Sequence, residues 1–215
     1  MKTVDKSIIC LNVHFPACSG ERGQTPAVSD DLAELNPGQP AYPPRLGAQG
    51  PVLYARGALD LLHRRRVAIF ASVKTTGASI LRALAWARGW SSDDGVVISG
   101  FHSPLEQECL ALLLKRGMPV IVCPAREIGT YRLPQAWRAP LQGGGLLVLS
   151  QFTAHRRVST ATCAARNALV ARCADEVVVL HAHGGGQIEH LVHDASKAGK
   201  PVAYLANDQH ARSRR

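Results

Sequence analysis

Aromatic residues make up only 5% of this 215-residue chain, and charged residues only 19%. The apolar stretch 7–15 is too short and too interrupted to cross a membrane, and no small-residue cleavage site follows it. Six cysteines are present (Cys10, Cys18, Cys109, Cys123, Cys163 and Cys173), but none forms a C-x-x-C pair. Zinc-type clusters and disulfide frameworks are therefore not expected. Four of these cysteines fall in apolar or helical stretches, where a free thiol behaves as a small buried hydrophobe. Neither GxxxxGK[ST] nor GxGxxG occurs, which excludes the common nucleoside-triphosphate and dinucleotide loops. No cofactor is implied, and the expected location is cytoplasmic with no membrane partner.

What the chain does have is aliphatic bulk and positive charge. Hydrophobic residues reach 46%, enough for a substantial core. Twenty-five Lys and Arg stand against sixteen Asp and Glu, a net +9. An excess of this kind favours polyanions, because binding releases their condensed counterions.

Three zones follow one another. Residues 1–39 are rich in Gly, Pro, Ser and Asp and read as an irregular segment. Residues 40–66 form an adaptor: Tyr42-Pro43-Pro44-Arg45-Leu46 is extended or turn-forming, and 58–66 suits a short helix ending in Arg64-Arg65-Arg66. From residue 67, uninterrupted apolar runs at 67–72, 96–99, 119–123, 146–149, 177–180 and 201–205 read as strands buried on both faces. Helical segments are expected between them at 78–87, 105–115, 161–173 and 188–198. The stretch 127–145, with Pro134, Pro140 and three consecutive glycines, reads as a long loop with a short helical turn. The expected fold is α/β, a doubly wound, mainly parallel sheet of extended Rossmann-like type with helices on both faces. One domain is expected over 40–208, followed by a basic tail at 209–215.

Ligands of such sheets sit at the carboxyl ends of the strands. After the first parallel strand come Ser72, Lys74, Thr75 and Thr76, where small hydroxyl residues, a helix N-terminus and a full positive charge suit a phosphate. Residues of this kind also cap helices without binding anything, and the loop alone does not separate the two readings. The second strand ends at Ser99-Gly100, where glycine permits close backbone approach, and Ser103-Pro104 then opens a helix. The fifth ends at His181 and runs into His183, Gly184, Gly185 and Gly186, a cradle for an anion. Arg166 and Asn167, near the start of the preceding helix, suit a bidentate phosphate contact. His181, His183, His190 and His193 lack a cysteine or carboxylate at ligand spacing, so no metal site is expected. No nucleophile–base pair or carboxylate dyad emerges, so the chain reads as a binding module and not an enzyme. Few aromatics are placed to stack on bases: Phe101, Phe152, Tyr131 and Trp137.

The order of these features resembles the Rossmann-like domain of the DprA/Smf family. Tyr42-Pro43-Pro44-Arg45-Leu46 and Pro51-Val52-Leu53-Tyr54-Ala55-Arg56-Gly57 are similar to its opening motifs. The series continues through Val96-Val97-Ile98-Ser99-Gly100, Gly117-Met118-Pro119-Val120, Leu146-Leu147-Val148-Leu149-Ser150, Arg166-Asn167 and Ala198-Gly199-Lys200-Pro201-Val202. The resemblance implies a homodimeric protein that binds single-stranded DNA through strand-end phosphate contacts and loads a recombinase during natural transformation. It places Ser72 at the serine of a Gly-Ser-Arg motif and Arg166-Asn167 at the start of an Arg-Asn-Arg motif. Here the first reads Ala71-Ser72-Val73, with Lys74 one place later, and the second ends in Ala168. The alternative is a small-nucleotide binder or phosphoribohydrolase of the related lysine-decarboxylase-like superfamily, with Glu189 as its acid. His183-Gly184-Gly185-Gly186-Gln187-Ile188-Glu189 has the glycines of that signature but not its Gly-Thr.

Overall fold

A computed structural model describes residues 31–155 and 157–205. The N-terminal stretch with Cys10 and Cys18, Arg156, and the basic tail lie outside them. The described residues form one eight-stranded sheet in the order β1-β2-β6-β5-β4-β3-β7-β8. Its strands are β1 (Ala33–Leu35), β2 (Leu53–Gly57), β3 (Arg66–Ala71), β4 (Val96–Ser99), β5 (Val120–Val122), β6 (Leu146–Ser150), β7 (Glu176–His181) and β8 (Val202–Tyr204). The helices are α1 (Gly77–Gly89), α2 (Pro104–Lys115), α3 (Gln135–Gln142), α4 (Thr160–Cys173) and α5 (Gln187–Lys197). From β6 across to β8 the pairing is parallel throughout.

Burial on both faces explains the uninterrupted apolar runs. Every residue of β3 and of β6 is buried. Alternate side chains go to opposite layers, as the period of a strand requires. Val67, Ile69 and Ala71 of β3 join Ala83 of α1, Leu113 of α2 and Leu141 of α3. Ala68 and Phe70 pack on the other side with Leu169 and Val170 of α4 and Val192 of α5. The chain enters the parallel part at β3, steps outward to β6, then crosses back to lay β7 on the far side of β3. The reversal opens a crevice at the carboxyl ends of β3 and β7.

The structure departs from the sequence reading in three places. β1 and β2 extend the sheet past β6 as antiparallel strands, β1 in the segment 1–39 expected to be irregular and β2 in the adaptor 40–66, where no strand was expected. β2 is short and alternates, with Leu53 and Ala55 fully buried and Tyr54 and Arg56 partly exposed; the neighbouring prolines and glycines mask that pattern. The helix expected over 58–66 is a single 3-10 segment, Leu59–His63, and Arg66 already belongs to β3. The loop expected over 127–145 contains an eight-residue helix, α3, with Pro140 tolerated inside it.

The basic run is consumed structurally. Arg64 donates to the Ser92 carbonyl, Arg65 donates to the Asp94 carbonyl and pairs with Glu176, and Arg66 pairs with Asp175. These contacts tie down the amino ends of the parallel strands, opposite the crevice.

Candidate functional site

The crevice holds a cleft of about 680 Å³. Its walls come from four chain segments: the loop after β3 (Ser72, Val73 and Lys74), the start of α2 (His102, Ser103, Glu106), the start of α4 (Ser159, Cys163, Arg166, Asn167) and the start of α5 (His183, Gly186, Gln187). The N-termini of α2, α4 and α5 thus face one space, each bringing partial positive charge to it. Two of these starts are fixed by reciprocal capping boxes. Ser103 accepts from the Glu106 amide and Ser159 from the Thr162 amide, with each N3 side chain returning a bond to its cap. The Ser159 box places the start of α4 in the wall, and its Ser-x-x-Thr spelling was the available sequence signal for it. Lys74 stands exposed at the rim.

Arg166 forms part of the floor. It is 4% exposed; its Nε donates to Asn167 Oδ1 at 2.7 Å and its Nη1 to the Cys123 carbonyl at 3.3 Å. Its guanidinium crosses the backbone of Gly100, where an added Cβ would lie 1.5 Å from Nη1. Gly100 is therefore required for room and not for an unusual backbone angle. The buried Glu106 lies in the same wall with its oxygens committed: it accepts from the amides of Ala71 and His102 at 2.8 Å and of Ser103 at 3.2 Å. Burial pushes the Glu106 carboxyl up, against the pull of those amides and of Arg166 toward the charged form. This brace holds the end of β3 to the β4–α2 turn. Its strength was not legible in a residue that reads as ordinary first-turn chemistry.

The remaining sequence candidates divide by role. The Ser72 hydroxyl accepts from the His183 amide at 3.0 Å and the Ser72 amide donates to the His181 carbonyl at 2.9 Å, which clips the β3 and β7 loops together at the cleft edge. Thr76 caps α1 by accepting from the Ser79 amide. Thr75 is half-buried and does not line the cleft. Ser99 is fully buried, donating to the Ile69 carbonyl at 2.8 Å. Of the triple glycine, Gly186 reaches the central cleft. Gly184 lines an adjacent one of about 320 Å³ with Thr76, Ser79, Arg82, His181 and Glu189. Gly185 has φ +71° and donates to the Glu189 carboxylate at 2.5 Å, so that carboxylate closes the turn.

Phe101 departs from its expected role. It is the one non-glycine residue with positive φ among the described residues, at 46°, and its ring is buried in the layer of α1 and α2. A buried ring cannot stack on a base. Phe152 stays half-exposed, edge-on to His155 with ring centres 5.4 Å apart. Cys109, Cys123 and Cys173 are buried, and burial pushes the Cys109 and Cys173 thiols up to about 12, so neither is a nucleophile near neutral pH. Among the described residues no three His, Cys, Asp or Glu side chains are placed to hold a metal. No helix there is long and apolar enough to cross a membrane.

A family model described as DNA recombination-mediator protein A matches residues 35–214. Among solved structures, DNA processing protein A (DprA) of Streptococcus pneumoniae superposes with a TM-score of 0.68 at 20% identity, over 82% of this chain and 64% of that one. The chain thus spans just under two thirds of that protein. DNA processing protein A of Helicobacter pylori, solved for its single-stranded DNA binding mode, gives a TM-score of 0.63 at 21% identity over 80% of each chain. At these identities the structural likeness speaks for the fold. Sequence comparison with curated proteins returns no match.

Proposed function

Because the chain belongs to the DNA recombination-mediator protein A family, we propose that its central cleft binds single-stranded DNA, gripping phosphates with little reading of bases. The observation that carries this is the convergence of Lys74, Arg166, Asn167, His183 and the starts of three helices on one cleft. Oriented amides and cations suit phosphate oxygens. The H. pylori protein supplies the precedent for the ligand. With Phe101 buried, few rings remain for stacking, which favours a backbone-dominated, sequence-tolerant grip with a steep salt dependence. The phosphoribohydrolase reading has no comparable support, since Glu189 closes a turn beside the neighbouring cleft. On the same reading the protein acts in the cytoplasm, as a homodimer, and hands the strand to a recombinase.

Titrating a labelled oligothymidylate at two salt concentrations tests the proposal. Binding should be measurable at low salt and weaken as salt rises. Absence of binding at low salt would remove it.

A further inference from the structure

A third cleft, of about 350 Å³, lies on the sheet face that carries α3. It is lined by Arg56, Tyr131, Arg132, Leu133, Arg138 and their neighbours in α3. Its volume falls at the small end of ligand pockets, near 300 Å³. Arg132 and Arg138 are exposed and make no ion pair among the described residues. Arg56 is already committed to the backbone. Its Nη1 donates to the carbonyls of Tyr131 at 3.1 Å and Ile128 at 3.5 Å, so it holds the loop that presents Tyr131 and Arg132. Arg126 sits over the Tyr131 ring, 4.9 Å from its centre. The nearby carboxylate, Glu127, is buried and accepts from both the amide and the hydroxyl of Thr130. A braced aromatic ring beside exposed guanidinium groups is the chemistry that takes a phosphate together with a planar base.

We infer that this cleft is a second nucleotide site, in which Arg132 and Arg138 take a phosphate and Tyr131 offers a face to the base. β2, which carries Arg56, is three strand positions from β4, whose end borders the central cleft. That sideways step is about 15 Å at ~4.8 Å per strand, and the distance along the strands from their carboxyl ends back to Arg56, which pairs with Val148 midway along β6, adds to it. Only a strand toward the long end of the roughly 4–16 nucleotides that single-strand-binding folds occupy would therefore reach both clefts. The inference rests on the proposed single-strand binding for its natural ligand. A free nucleotide has the same chemistry, and the test separates the two sources.

The test uses the full chain and the double variant Arg132→Glu/Arg138→Glu, both positions being exposed so that thermal unfolding should be unchanged. Oligothymidylates of increasing length are titrated, alongside deoxythymidine monophosphate. If the strand reaches the cleft beside α3, the variant binds the shortest oligonucleotides like wild type and longer ones at least about tenfold more weakly. The salt slope on the long strand should fall by about 0.7 per lost phosphate contact. If the ligand is a free nucleotide, wild type binds the monophosphate and the variant does not. Equal affinity of variant and wild type for every probe would overturn the inference while leaving the central cleft intact. Equal weakening at all lengths would also overturn it, as diffuse charge. Failure of wild type to bind any probe would overturn both proposals together.

Discussion

The guanidinium of Arg166 occupies the space that a side chain at position 100 would need, with Nη1 1.5 Å from the site of an added Cβ on Gly100. A glycine at a strand end and an arginine 66 residues later in the chain are thus two halves of one feature. Gly100→Ala is expected to push the guanidinium from its seat. The far end of an arginine can move, so the fold should survive with little change in thermal midpoint. Affinity for oligothymidylate should fall about tenfold, the equivalent of roughly 1.4 kcal/mol and in the range of one charge-assisted hydrogen bond. Arg166→Ala on top of Gly100→Ala should then cost little more, and full additivity in binding assays would show that the two positions act separately.

Lys74 is exposed at the rim of the same cleft. Lys74→Ala should leave stability unchanged and lower the slope of log affinity against log salt by about 0.7, one phosphate contact on a single strand. An unchanged slope in a salt series would remove Lys74 from the contact set.

The Glu106 carboxylate accepts from three backbone amides. In Glu106→Gln an amide group replaces one acceptor oxygen and faces an N–H, leaving a buried donor unpaired. Chemical denaturation should report a loss of about 1–3 kcal/mol. Unchanged stability with lost DNA affinity would instead place Glu106 in contact with ligand.

At the other end of the sheet, burial alone would raise the Asp175 carboxyl, but the Arg66 amide and the guanidinium groups of Arg45 and Arg66 hold it below the ordinary range. A depressed acid stabilises the fold above its unfolded pKa, about 3.9, and loses that contribution as pH falls through the folded value. The stability gap between wild type and Asp175→Asn should therefore be widest near neutral pH and close as pH drops below about 4. DNA affinity at neutral pH should be unchanged, because Asp175 meets the amino end of β3. A gap that widens in acid would reverse the assignment.

The sequence by itself determined the parallel part of the fold. Runs such as Val96-Val97-Ile98 are apolar at every position because both faces of the strand are covered, and that requirement shows in one dimension. It also located the loops that form the central cleft, since a doubly wound sheet gathers its strand ends on one side. What tertiary structure alone decided is which side chains reach that space and which are used elsewhere. Arg64, Arg65 and Arg66 read as an electrostatic signal yet are tied to Ser92, Asp94, Glu176 and Asp175. Phe101 and Ser99 lie at a strand end yet point inward. Arg166 gained its seat only because Gly100 left it vacant. These outcomes depend on contacts between residues far apart in the chain, and local pattern carries no record of a distant neighbour. β1 and β2 were hidden for the same reason: strands this short are stabilised by the partners they find, β2 on β6 and β1 on β2.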